Sequence, residues 1–487
     1  MRTEISKTNR RYVGIASELY RRVRFRIKLN ISRTLYKIRY RNFCPTFDGN
    51  SVVCGLDEYI ASTACLLERG SVDKFLRRLM ELTTKLLSET LRGRALFIPE
   101  LDELTRKACL VVRSRTEIPP NAKLLVHVAT ELMPTGGHTR VIEDIAAALP
   151  EYKHILIVTS MHNSDSRWAF LAPRFEELRL EVRLLQTVSY AEKARELSSV
   201  IAALGPGAVL LLAHQYDSIA YVGVPADAAP RVLFLHHTDH HPSLGASRVD
   251  YLHVDLTPGC HRICASRPLL QASLLNLTAK DVGTVKLVDR QSIIGVTCGS
   301  SHKYLGSSEY SYGYLLAALF SAGVNRVLHI GDMDAWQKDQ IRADIFERGQ
   351  DAGRVLFLPD TPSLAAKLIE ISPDFYLTSH PLGGGKANVE AMSVGLPILY
   401  VCPASTPPLL NPDMTFATSV PVSTLEQIPD AVRRLETDKK LLASRSRATY
   451  EKHYSAAAFR EQLLSLISID GSDYGNVRKS RERLVQI

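Results

Sequence analysis

From Lys123 onward the chain alternates short apolar runs with amphipathic stretches, and this alternation constrains the fold more than any other feature. Leu124-Leu125-Val126-His127-Val128-Ala129 is apolar enough on both faces to form a buried parallel strand. A turn, Thr135-Gly136-Gly137-His138-Thr139-Arg140, leads into a helix from Val141 to Leu149. His154 to Thr159, Glu181 to Leu185, Ala208 to Ala213 and Val232 to Leu235 follow as strands. A second series runs through Ile293 to Thr297, Arg326 to Ile330, Arg354 to Leu358, Phe375 to Leu377 and Ile398 to Val401. Two successive βαβ arrays predict an α/β protein with two doubly wound, Rossmann-like domains facing a cleft.

Outside the arrays the pattern changes. Residues 49–118 carry a helical apolar stripe (Phe75, Leu76, Leu79, Leu82, Leu86) and no strand signal, and Pro119-Pro120 closes them off. The expected division is a basic arm (1–48), a helical region (49–118), a first Rossmann-like domain (119–290), a second (291–430), and closing helices with a tail (431–487). Nothing in the sequence assigns a role to residues 49–118.

Within the second array, Ser379-His380-Pro381-Leu382-Gly383-Gly384-Gly385-Lys386-Ala387-Asn388-Val389-Glu390 joins a strand to a helix. Gly383, Gly384 and Gly385 have no Cβ, so their N–H groups can close on an anion. The helix N-terminus beyond them adds free donors and a positive dipole end. Lys386 supplies charge, Asn388 lies in the first turn, and Glu390 is placed to accept ribose hydroxyls. This is the composition of a diphosphate-and-ribose site.

Three more groups fall where strands end. They are Gly136-Gly137-His138-Thr139, the four-histidine run His236-His237-Thr238-Asp239-His240-His241, and Cys298-Gly299-Ser300-Ser301-His302-Lys303. The histidines invite a metal reading, but Pro242 and the preceding strand argue for a loop, and no carboxylate-plus-histidine motif completes a site. A neutral histidine acting as a base makes a smaller demand. The eight cysteines lack paired CxxC spacing, so reduced thiols in a cytoplasmic protein and no zinc site are expected.

The net charge of +9 belongs to the arm. Residues 1–41 hold thirteen Lys or Arg against Glu4 and Glu18, a net +11, which leaves the rest at about −2. Arg22-Val23-Arg24-Phe25-Arg26-Ile27-Lys28-Leu29 suits a strand by alternation, while Leu19, Val23, Ile27 and Ile31 suit a helix. Either way the arm fits an anionic membrane surface, peripheral to the inner face of the membrane. Nucleic acid is not the expected partner, because the body of the chain is not basic.

Taken in order, these landmarks resemble the glycosyltransferase-B fold, and within it the O-GlcNAc transferase family. Gly137-His138-Thr139 is similar to the family's first-domain turn. Asp250-Tyr251-Leu252-His253-Val254-Asp255 is similar to its DYxxxD element, and Lys303 to its diphosphate lysine. Glu390 with Val394-Gly395-Leu396-Pro397 is similar to its ribose acid and the turn after it. The likeness spans roughly residues 122–430. Gly385, Lys386 and Ala387 replace the family's histidine–threonine pair, and its tetratricopeptide repeats are absent.

The resemblance implies a metal-independent hexosyltransferase that needs no cofactor. It would move a sugar from a UDP-linked nucleotide sugar to a glycan or protein acceptor. Lys303, Gly383, Gly384, Gly385, Lys386, Asn388 and Glu390 would hold the donor. A histidine among His138, His214, His237 and His240 would serve the acceptor. Leu382 stands where related retaining enzymes carry a second glutamate, so inversion is expected. The alternatives are a sugar-nucleotide epimerase and a non-catalytic, membrane-associated scaffold with a degenerate cleft. The sugar, the acceptor and the oligomeric state are not encoded in any motif.

Overall fold

A computed structural model describes residues 46–48, 51–54, 56–86, 93–115, 118–133, 137–161, 170–288, 291–305, 310–410, 414 and 419–468. Residues 1–45 of the basic arm, with its expected membrane contact, lie outside the described residues, as do Gly136 and the tail.

The chain first pairs β1 (Thr46–Asp48) with β2 (Ser51–Cys54) as an antiparallel hairpin, a departure from the purely helical reading of this region. Three helices follow: Asp57–Glu68, Val72–Lys85 and Pro99–Val112. In the second, Val72, Phe75, Leu76, Leu79 and Leu82 recur at three- and four-residue steps and are all buried. That stripe packs on the helices Tyr190–Leu204 and Ser218–Gly223, and the Leu76 carbonyl accepts from Ser218 Oγ at 2.7 Å. Losing one such leucine side chain typically costs about 2–5 kcal/mol.

The third helix is tied down by Asp102, 2% exposed, whose carboxylate accepts from Gly245 N at 2.6 Å and Ser247 N at 2.7 Å. Burial pushes its carboxyl up to about 6, against the pull of those N–H groups and Arg248. Asp102→Ala leaves two inner N–H groups without an acceptor. It is expected to lower stability by about 2–4 kcal/mol in a denaturant titration. An unchanged midpoint would show that the loop is not anchored through this carboxylate.

The first sheet comprises β3 (Asn121–Ala129), β4 (Lys153–Val158), β5 (Leu180–Leu184), β6 (Pro206–Leu212), β7 (Arg231–His236), β8 (Leu252–Asp255) and β9 (Gln271–Leu274). They are all parallel, in the order β5-β4-β3-β6-β7-β8-β9. The second sheet comprises β10 (Ile293–Cys298), β11 (Val324–Ile330), β12 (Val355–Leu358), β13 (Phe375–Leu377), β14 (Ile398–Val401) and β15 (Ser419–Val422). These are also parallel, in the order β12-β11-β10-β13-β14-β15. Strands buried on both faces need apolar side chains throughout, which is why β6 reads Pro-Gly-Ala-Val-Leu-Leu-Leu and is wholly buried.

The direction of winding reverses between β3 and β6 in the first sheet and between β10 and β13 in the second. In open α/β sheets ligands bind beyond the carboxyl ends of the strands at such reversals. One hydrophobic core takes residues from both sheets, including Leu210, Val254, Val296 and Ile398. The last helix, Ala456–Ile467, returns to the first domain, where Arg460 pairs with Glu151 at 2.7 Å.

Candidate functional site

Both reversals carry the groups that the sequence singled out. Beyond β3 and β6 lie Glu131, His138 and His214, and beyond β7 lies His237. His138 and His237 stack at 4.5 Å between centroids with 7° between planes, and His214 stands 5.1 Å from His138. The imidazole of His138 is 8% exposed, and its Nε2 is bonded to the Leu212 carbonyl. A carbonyl only accepts, so Nε2 carries the proton and Nδ1 holds the lone pair. That Nδ1 is buried without a hydrogen-bond partner.

Burial pulls His138 down to about 4, helped by His214 and opposed by the Leu212 carbonyl and Glu131. Burial likewise lowers His237, together with His138 and His214. His214 Nε2 lies 3.4 Å from Glu131 Oε1, within ion-pair range but without hydrogen-bond alignment. Glu131 escaped the sequence reading; its only signal is that it is the first carboxylate after β3. His240 is not among the three rings that cluster: it lies 3.3 Å from Asp239 and packs on His241, beside His237. The ring nitrogens of His138, His214 and His237 are within 4.8 Å of one another, close enough to share an ion.

Neutral buried histidines make the fold acid-sensitive. His138 and His329 both have folded values near 4 against an ordinary 6.5, chiefly through burial. A depressed folded value means the unfolded chain takes up the proton first. The contribution is therefore complete above about pH 6.5 and is lost as pH falls toward 4. Each ring accounts for about 3 kcal/mol. Unfolding free energy should drop steeply across pH 6.5 to 4; a flat profile there would contradict it.

At the second reversal, the turn Ser301–Tyr304 after β10 meets the glycine loop after β13. Lys303 is partly buried, and burial lowers its ammonium value. A Cβ built at Gly384 would lie 3.2 Å from Lys303 Nζ and 3.4 Å from Ser379 Oγ, so the missing side chain lets the lysine approach this backbone. The helix Gly385–Ser393 starts there, with Gly384 at its cap and no side-chain cap bond. Charge, free N–H donors and dipole thus converge on one spot. Asn388 is 1% exposed, and neither its Oδ1 nor its Nδ2 has a partner. The Glu390 carboxyl is pushed up by burial, and is drawn down by Lys386 and by the N–H groups of Ala365 and Leu364.

Lys386 does not join the lysine at the loop. Its Nζ is bonded to Asp144 in the first domain and to the Thr278 carbonyl, so in this structure it bridges the domains rather than facing the glycine loop with Lys303. The two sides come close at Thr257, whose Cγ2 is 3.9 Å from a Cβ built at Gly385 and whose Oγ1 donates to Asp239 at 2.7 Å.

No protein-family model matches the sequence, and a sequence comparison with curated proteins gives no match. Solved structures do match. The apo form of the lipopolysaccharide outer core galactosyltransferase WaaB superposes with a TM-score of 0.54 at 13% identity, over 71% of this chain and 99% of that one. Anabaena HepE in complex with UDP gives 0.51 at 13% identity, over 70% and 98%. An S. aureus TarM variant in complex with fondaparinux, α-GlcNAc-glycerol and UDP gives 0.53 at 9% identity, over 71% and 100%. Thermobaculum terrenum O-GlcNAc transferase aligns over 87% and 83% at 15% identity, with a TM-score of 0.47. At these identities the likeness is one of fold. The chain has the two-domain glycosyltransferase-B architecture.

Proposed function

We propose that the protein is a glycosyltransferase that takes a nucleotide sugar, UDP-linked, as donor. The observation that carries this reading is the pairing of the two reversals. One presents Lys303 and an uncapped helix N-terminus, and the other presents neutral imidazoles at the facing strand ends. Two of the proteins that share the fold were solved with UDP.

In this reading the donor diphosphate lies between Lys303 and the N–H groups of Gly384 and Gly385. Charge growing on the leaving group is stabilised there in the transition state. Asn388 supplies amide donors and acceptors beside it, and Glu390 takes the ribose diol while still accepting from the helix that starts at Leu364. The acceptor hydroxyl enters from the first domain and gives its proton to Nδ1 of His138, or is oriented by it, with His237 and His214 framing the ring. Attack from the side opposite the nucleotide inverts the anomeric centre. Leu382, 5% exposed, leaves no carboxylate at the position a retaining partner would occupy. No step in this scheme calls on a metal. The acceptor is a glycan or a protein.

Incubating the full chain with UDP-, GDP-, dTDP- and CMP-sugars tests the proposal. Release of nucleotide supports transfer or its hydrolytic side reaction. An interconverted sugar nucleotide means epimerase, with Glu131 and Asp239 as the added carboxylates. No change with any donor leaves the scaffold reading. Glu390→Ala is expected to weaken UDP binding by about tenfold, the worth of one charge-assisted hydrogen bond. A calorimetric titration with unchanged affinity would restrict Glu390 to capping the helix from Leu364.

A further inference from the structure

Behind the histidine loop, on the first domain, lies a second cluster that the transfer scheme does not use. His236 closes β7 and Asp255 closes β8, and the parallel register sets them opposite each other. The helix Pro258–Ala265 follows at once and turns Cys260 and Cys264, one helical turn apart, toward the same point. All four are interior: His236 is 1% exposed, Asp255 0%, Cys260 3% and Cys264 0%.

Four of the six spacings match the edges of a tetrahedron. Cys260 Sγ lies 3.4 Å from His236 Nδ1 and 3.3 Å from Asp255 Oδ1. Cys264 Sγ is 3.6 Å from His236 Nδ1, and His236 Nδ1 is 3.4 Å from Asp255 Oδ1. The four ligand atoms all fall within 4.8 Å of one another. Zinc bonds of about 2.3 Å to sulfur and 2.0–2.1 Å to nitrogen or oxygen, opened to the tetrahedral angle, predict three separations. They are roughly 3.6 Å for S···N, 3.5 Å for S···O and 3.3 Å for N···O. The observed edges follow all three. The other carboxylate oxygen, Asp255 Oδ2, meets His261 Nδ1 at 3.3 Å, an outer contact of the kind that orients metal ligands. With a metal on His236 Nδ1 in place of the proton that otherwise faces Asp255, the ring would keep its proton on Nε2, which is buried without a partner.

We infer that His236, Asp255, Cys260 and Cys264 form a structural zinc site that pins the end of β7 to β8 and to the helix after it. On binding, each cysteine loses its S–H proton to solvent and keeps the electron pair for the metal, with no redox change. Zinc suits a closed set of two sulfurs, one nitrogen and one oxygen better than a hard cation would. The next residue after the ligand His236 is His237, and Thr257, which caps the ligand helix, is bonded to Asp239. The site therefore sets the base of the loop that frames the cleft. It runs against the expectation, drawn from cysteine spacing, that no zinc site exists. Two of its ligands come from strand ends and the cysteines follow helical spacing, so a CxxC search passes over it. The inference stands whether or not the protein transfers sugars.

Metal analysis of the tag-free full chain, purified under reducing conditions, is expected to give one zinc per chain. Cys264→Ser should lose it, whereas Cys65→Ser and His214→Ala should keep it. Cobalt(II) exchanged into the wild-type protein should show tetrahedral d–d bands with a thiolate-to-metal charge-transfer band. The cobalt spectrum decides the matter even where Cys264→Ser fails to fold, because the cluster of His138, His214 and His237 contains no sulfur. Metal retained in folded Cys264→Ser, or a wild-type chain that neither carries metal nor gives a thiolate band with cobalt, would overturn the site.

Discussion

Lys303→Ala is expected to lower turnover of the preferred nucleotide sugar by about 30- to 1,000-fold. Among the described residues the lysine is the formal cation at the glycine loop, since Lys386 is committed to Asp144 and Thr278. Removing a charge-assisted contact from a largely dry site costs roughly 2–4 kcal/mol in the transition state. Partial burial of Lys303 makes the loss larger than for a fully exposed cation. The comparison with Lys386→Ala is informative. That substitution leaves Asp144 without its cation and should behave like a loss of interdomain coupling, with lower stability and a smaller effect on the chemical step. Steady-state kinetics with the two variants separates the cases. Unaltered kcat/KM in Lys303→Ala would remove the diphosphate assignment.

His138→Ala is expected to reduce kcat by about 10²–10⁴, the range for a lost general base or its hydrogen bond. The prediction rests on one geometric fact: Leu212 fixes the proton on Nε2 and leaves Nδ1 unpartnered toward His237 and His214. His240→Ala should have a much smaller effect, because Asp239 holds that ring outside the cluster. The groups around His138 are His214, His237 and Glu131, and its folded value near 4 keeps it neutral from pH 6 upward. A kcat profile with an acid limb at 6.5 would mean that the ring titrates as though exposed. His138→Gln with full kcat would show that His138 neither takes the proton nor positions the hydroxyl, and would shift attention to Glu131.

Ten strands of the two sheets were legible because strands buried on both faces must be apolar runs, as at Leu124–Ala129, Ala208–Ala213 and Ile293–Thr297, whereas the four-residue strands β8, β9 and β15 were missed. The short hairpin at Thr46–Asp48 and Ser51–Cys54 was not legible either, since three- and four-residue strands carry too few positions for alternation to register. Placement of Lys303 and the glycine loop at one reversal could be read from their positions after β10 and β13. The fate of Lys386 could not. Its partner Asp144 is 242 residues away, and only the closure of the two domains brings the carboxylate within reach. Glu131 was missed for a similar reason: it is one acid among many until His214, from another strand end, arrives beside it. The pairing of His236 with Asp255 depends on strand register, which no linear motif expresses.

The central claim is that the second reversal binds a nucleoside diphosphate, and a direct titration of UDP into the full chain tests it. Wild-type protein should bind UDP, and at a hundredfold excess over the dissociation constant the ligand should add about 2.7 kcal/mol to unfolding stability. Lys303→Ala, folded to the same degree, should lose at least tenfold in affinity. Absence of heat and of any melting shift with UDP, GDP, dTDP and CMP would contradict the account, as would UDP affinity that is indifferent to Lys303.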